Sequence, residues 1–149
     1  MIYASCSKIL NLSKKNAWEL LQSAIANLEK YSDQILATAI VQEYYDGYLR
    51  SIMPAGGEGF LERVFVIKDA AKIVARLEQN NMYIGEIIFQ IIASDDDFLS
   101  EKKTTLTAVL VWRIHPGLIE APINSKQDYL EQILSKIQEK ANVSIDLVS

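Results

Sequence analysis

The residues from Ile35 to His115 read as a succession of strands joined by short turns, and this restricts the fold more than any other feature. Parallel pairing needs crossovers of a dozen or more residues, so strands this closely spaced pair antiparallel. The predicted strands are Ile35–Asp46, Gly47–Met53, Gly59–Lys68, Ala71–Gln79, Met82–Ser94 and Lys103–His115, with a further strand, Ile2–Leu12, opening the chain. Pro54-Ala55-Gly56-Gly57-Glu58 supplies a hairpin turn between the Gly47–Met53 and Gly59–Lys68 strands.

Two amphipathic helices bracket most of this run. The first spans Ser13–Tyr31, with Ser13 as N-cap and Ala17, Leu21, Ala24 and Leu28 on one face. The second spans Lys126–Asn142. Ser125 and Asp128 have the spacing of a capping box, with Asp in place of the usual Glu or Gln. Leu130, Ile133, Leu134, Ile137 and Ala141 form its apolar stripe, which needs a sheet to cover it. Alternation identifies the covering face: Leu106, Ala108, Leu110, Trp112 and Ile114 point in, as do Tyr83, Ile87, Phe89 and Ile91. Gly85 is expected to be a bulge or bend that lets these long strands curl. The expectation is one α+β domain over residues 1–149. In it a curved antiparallel sheet of about seven strands wraps the long C-terminal helix and leaves an apolar cavity.

Charge and composition narrow the partners. A chain of 149 residues buries enough surface to fold without disulfides or a metal. The net charge is −4, and the basic pairs Lys14-Lys15 and Lys102-Lys103 are isolated, which argues against nucleic acid. Cys6, the single cysteine, cannot form an internal disulfide and suits a reducing compartment. The first residues lack the charged and apolar regions of a signal peptide. No uncharged apolar run approaches the roughly 18 residues of a membrane span. A cytoplasmic location without membrane insertion is therefore expected.

No cofactor or metal is expected either. His115 is the only histidine, which excludes a zinc site built on two histidines. It sits beside Pro116 at a strand end, a poor place for a member of a nucleophilic triad. Gly56-Gly57-Glu58-Gly59 precedes a strand rather than the helix that a phosphate-cradling loop requires. Asp95-Asp96-Asp97 with Glu101 lacks the spacing and glycine of an EF-hand and reads as a solvated hairpin tip.

The Gly59–Lys68 strand raises the informative question, because Glu62 and Arg63 are neighbours and only one of them points inward. Pairing Arg50 with Arg63 sets like charges opposite each other, which is unfavourable. A five-residue loop instead pairs Arg50 with Glu62, Ile52 with Phe60 and Tyr48 with Val64. Arg63 is better solvated outside, which sends Glu62 and Arg50 to the concave face. There they could act as general base and oxyanion binder, orient a ligand, or form a structural ion pair. A guanidinium beside a carboxylate makes it a weaker base and burial makes it a stronger one, so the residues leave the choice open. Tyr83, Phe89, Leu110, Trp112 and Ile133 are the candidates to line a cavity on this face, and aromatic and branched side chains can equally fill such a space.

"AWELLQSAIANLEKYSD", "YYDGYLRSIMPAGGEGFLERVFV", "YIGEIIFQII" and "TLTAVLVWRIHPG" together resemble the AtaL-like branch of the START-type (SRPBCC) superfamily, over about Ile2 to Ala141. The family pattern has an Arg in the third strand, a Glu-Arg step in the fourth and a Trp in the last. Arg50, Glu62-Arg63 and Trp112 stand at those places. The resemblance implies a helix-grip fold with a hydrophobic small molecule held between helix and sheet. Family members are often labelled polyketide cyclases on similarity, which makes an aromatase or cyclase the alternative. A protein-interaction module using the outer sheet face or an edge strand is the remaining alternative.

Overall fold

The computed structural model describes residues 1–93, 103–118 and 124–148, with the side chains of 124–125 and 144–148 outside the description. The Asp95-Asp96-Asp97 and Glu101 expectation and the Ser125 cap lie outside the described residues. The elements are β1 (Ile2–Leu10), α1 (Lys14–Ala26), β2 (Ile35–Tyr44), β3 (Gly47–Pro54), β4 (Phe60–Ile67), β5 (Lys72–Gln79), β6 (Tyr83–Ala93), β7 (Thr104–Ile114) and α2 (Asn124–Val148). The strands form one seven-stranded antiparallel sheet in the order β1-β7-β6-β5-β4-β3-β2. β1 joins β7 from the far end of the chain, while every other neighbour is consecutive, as the short turns require.

The first helix is shorter than its periodicity suggests. Ser13 caps it through the Asn16 backbone N–H, but helical geometry ends at Ala26 rather than Tyr31. Asn27 leaves the helix with φ −126° and ψ 46° while its side-chain amide donates to the Ser23 carbonyl at 2.9 Å. Asn side chains compete for backbone groups in this way and so favour helix ends. Leu28–Lys30 then form a single 3-10 turn. The second helix runs past the expected Asn142 to Val148, because no Gly or Pro follows to stop it.

The apolar stripe of α2, Leu130, Ile133, Leu134, Ile137 and Ala141, is wholly buried. It packs chiefly against β1, with α1 and β7 alongside. Two polar side chains of α2 finish the β1 edge. Gln127 accepts from the Ser5 N–H and donates to the Ser5 carbonyl at 2.7 Å, and Gln138 donates to the Ile9 carbonyl at 2.9 Å. Groups that an edge strand would otherwise leave unpaired are thereby satisfied.

The β3–β4 register is the one that avoids a like-charge clash: Arg50 faces Glu62, Ile52 faces Phe60 and Tyr48 faces Val64. Gly85 is not a bulge, because the β6–β7 register runs unshifted from Tyr83–Ile114 to Ala93–Thr104. Its role is close approach. At φ +145° a Cβ would overlap the Val111 carbonyl oxygen and lie 2.9 Å from Cδ1 of the Trp112 indole. The missing side chain makes room for that ring to lie across the neighbouring strand.

Candidate functional site

The hollows among the described residues include two on the sheet. One, of about 420 Å³, is lined largely by outward residues of β2–β4, among them Ala37, Ala39, Ser51, Met53 and Leu61. The other, of about 690 Å³, lies at the end of the sheet where loops converge on the start of α2, and it falls within the usual size of ligand sites. Its apolar wall includes Ile35, Phe60, Tyr83, Trp112, Leu118 and Tyr129. Among the described residues its charged side chains are Glu58, Glu62 and Lys126.

The rim is braced by short polar contacts. The Asn80 side-chain oxygen accepts from the backbone N–H groups of Met82 and Tyr83, both at 2.8 Å, which shapes the β5–β6 turn. The Asn81 amide donates to Glu58, tying this turn to the β3–β4 loop. His115 Nε2 lies 2.9 Å from the Asn80 carbonyl oxygen, so the one histidine secures the same turn.

Alternation along β3 and β4 carries Arg50 and Glu62 to the concave face, where each is 2% exposed. Glu62 Oε1 accepts from Arg50 Nε at 2.9 Å and from Nη2 at 2.5 Å. Arg50 Nη1 donates to the carbonyl of Ile25, one of the last-turn acceptors that a helix cannot satisfy internally. Burial disfavours the guanidinium charge, but the Glu62 carboxylate, helped by Tyr48 and Tyr129, outweighs it and raises the Arg50 pKa above its ordinary value. Arg50 thus joins α1, β3 and β4 from behind the cavity wall, whereas Glu62 reaches the wall itself.

The remaining expected residues divide by depth. Tyr83 and Trp112 line the cavity, their ring centroids 5.3 Å apart and tilted by 33°. The Trp112 indole N–H is buried without a hydrogen-bond partner among the described residues. Phe89, Leu110 and Ile133 are buried in the core and are not among the residues lining the cavity. These three lie deeper in the sheet and helix than the described residues that line the hollow.

Among the wall residues missing from the expected set, Lys126 and Tyr129 had a signal in the sequence. Lys126 stands four residues before Leu130 and seven before Ile133, so it continues the apolar stripe of α2 by one turn. Tyr129 follows it at i+3 and shares that side of the helix. Lys126 Nζ lies 5.0 Å from the Tyr83 ring centroid and 5.3 Å from that of Trp112, within cation–π range. Burial lowers its pKa. Tyr129 is pushed well above the ordinary phenol value, first by burial and then by Glu62, with Arg50 opposing, so its hydroxyl stays protonated and can donate. Among the described residues no group of three or more His, Cys, Asp or Glu side chains is placed to hold a metal ion. No described helix is long and apolar enough to cross a membrane.

No protein-family model matches the sequence, and no curated protein is detectably similar to it. Solved structures are similar in fold. TTHA0849 from Thermus thermophilus has 9% identity and a TM-score of 0.75, over 95% of this chain and 98% of its own. A START superfamily protein from Mycobacterium smegmatis has 14% identity and a TM-score of 0.67, over 100% of both chains. The Zhui aromatase/cyclase from Streptomyces sp. R1128 has 14% identity and a TM-score of 0.59, over 95% of this chain and 88% of its own. The architecture is therefore the START-like helix grip, a curved antiparallel sheet with a long C-terminal helix.

Proposed function

We propose that this chain binds a hydrophobic small molecule in the cavity between the strand ends and α2. The observation that carries this reading is the hollow of about 690 Å³ walled by Phe60, Tyr83, Trp112 and Tyr129, with a few converging polar groups. Largely apolar concavities with sparse polar groups are what ligand sites look like. An open cavity weighs against a chain that acts only as an interaction module. Placement in the AtaL-like branch rests on Arg50, Glu62-Arg63 and Trp112 in the sequence, and the helix-grip neighbours are compatible with it.

A second reading, an aromatase or cyclase acting on a polyketide-like substrate, is favoured by one further observation. Glu62 and the protonated Tyr129 place an acceptor and a donor on the same wall. In that reading Arg50 is a positioning residue, because its donors are directed to Glu62 and Ile25.

The neutral fluorophore N-phenyl-1-naphthylamine tests the binding reading. It should saturate at one molecule per chain, and Trp112→Ala should weaken it by roughly tenfold. Trp18→Phe, buried on α1 outside the cavity lining, should leave it unchanged. No saturable binding, or equal effects of the two substitutions, would remove the reading. Turnover of a polyketide-like substrate that Glu62→Gln abolishes would favour the catalytic one.

A further inference from the structure

Among the described residues, the charges on the cavity wall do not balance where they meet the interior. Glu62 is matched by Arg50, with both side chains almost completely withdrawn from solvent. Glu58 is exposed at the rim, where a charge is screened by water and worth little, and it already accepts from Asn81. Lys126 has no carboxylate within ion-pair distance among the described residues and rests instead over the Tyr83 and Trp112 rings. It is therefore the one wall charge that faces the aromatic end of the hollow without a counter-ion among the described residues.

Building on the ligand-binding reading, we propose that the cavity selects a planar apolar acid, whose ionised oxygen meets Lys126 while its ring system lies against Tyr83 and Trp112. An occupant filling this hollow strips water from Lys126, whose charged state is already disfavoured by partial burial. A neutral or cationic occupant leaves a buried ammonium unpaired, which is costly, whereas an anion supplies the missing partner. Tyr129, one turn along the same side of α2, offers a hydroxyl that burial keeps protonated, so a second donor is available to the same oxygen or its neighbour. Charge-assisted hydrogen bonds of this kind are the stronger ones. Trp112 contributes an aromatic face to the same end of the hollow. Carboxylates and acidic phenols or enolates share the required chemistry: an apolar ring carrying an ionised oxygen.

Two probes with one skeleton separate this inference from the reading beneath it. 8-Anilinonaphthalene-1-sulfonate carries an anionic group that N-phenyl-1-naphthylamine lacks. The wild-type chain should bind the sulfonate more tightly. Lys126→Met should weaken the sulfonate by roughly tenfold or more without weakening the neutral probe, because the sulfonate loses a charge-assisted contact whereas the neutral probe no longer buries an unpaired ammonium. Lys126→Arg should restore the preference. Lys126→Gln, checked by circular dichroism for a folded chain, repeats the measurement should the Met variant fold poorly. If the neutral probe saturates but the sulfonate binds no more tightly, or Lys126→Met and Lys126→Gln weaken both probes alike, the inference falls and the ligand-binding reading stands. If neither probe binds, both fall together.

Discussion

Arg50 and Glu62 bring opposite charges to a place where either alone would be unstable. A buried ion sacrifices several kcal/mol of hydration, and only a well-made pair offsets this. Here Glu62 Oε1 takes two guanidinium donors while the third direction of Arg50 closes the end of α1. Arg50→Met and Glu62→Gln should therefore each destabilise the fold by roughly 3–5 kcal/mol, with the double variant recovering part of that loss. Urea unfolding of the four proteins measures the coupling, and small additive losses would show that the pair contributes little. The pairing itself was legible, since strand alternation and avoidance of an Arg50–Arg63 clash sufficed to find it. The Ile25 contact was not, because nothing local records where a helix end lands on a sheet. Lys126 was overlooked for a different reason. A lysine at the head of an apolar stripe reads as a solvated helix end until the two rings beneath it are placed.

At the scale of single elements, patterning located most of the structure, and the departures come from side chains meeting backbone. Alternation in β6 and β7 set their inward faces correctly, and Gly85 stood out as a glycine inside a strand. Its cause lay across the ladder, in the Trp112 ring and the Val111 carbonyl, beyond the reach of a local pattern. Asn27 ended α1 early by binding Ser23, whereas α2 continued because an Asn alone, at 142, does not stop a helix. Phe89 and Leu110 share the inward alternation of Trp112, and Ile133 lies on the apolar stripe of α2, yet of these four only Trp112 reaches the cavity. Periodicity gives the face and not the depth. Gly85→Ala should cost about 1–3 kcal/mol for its backbone conformation alone, with further loss from crowding against Val111. Because the added methyl also meets the Trp112 indole, N-phenyl-1-naphthylamine binding should weaken in the same variant. A stability change below about 0.5 kcal/mol, as at ordinary exposed sites, would contradict this account of the glycine.

Across the whole molecule the two edges of the sheet are treated differently. β1 lies under α2, whose Gln127 and Gln138 satisfy its backbone groups, and the stripe from Leu130 to Ala141 packs beside it. At the other edge, β2 exposes Leu36, Ile40, Val41 and Tyr44, with register shifts against β3 between Ile35 and Ala37 and between Ile40 and Gln42. Its support from the rest of the chain includes the 3-10 turn, where the Thr38 hydroxyl donates to Glu29 at 2.6 Å. Local opening free energies range from near zero at poorly packed edges up to the global value in the core. Amide exchange in the native state should therefore be slowest in β6, β7 and the Leu130–Ala141 part of α2, and these segments should exchange together through global unfolding. The β2 amides should exchange far sooner, through local opening that leaves the α2–β1–β7 side intact. Peptide-resolved hydrogen exchange followed by mass spectrometry distinguishes the two classes. Protection of β2 equal to that of β7 would mean that its edge is covered in solution, and the division of the molecule into a packed side and an open edge would not hold.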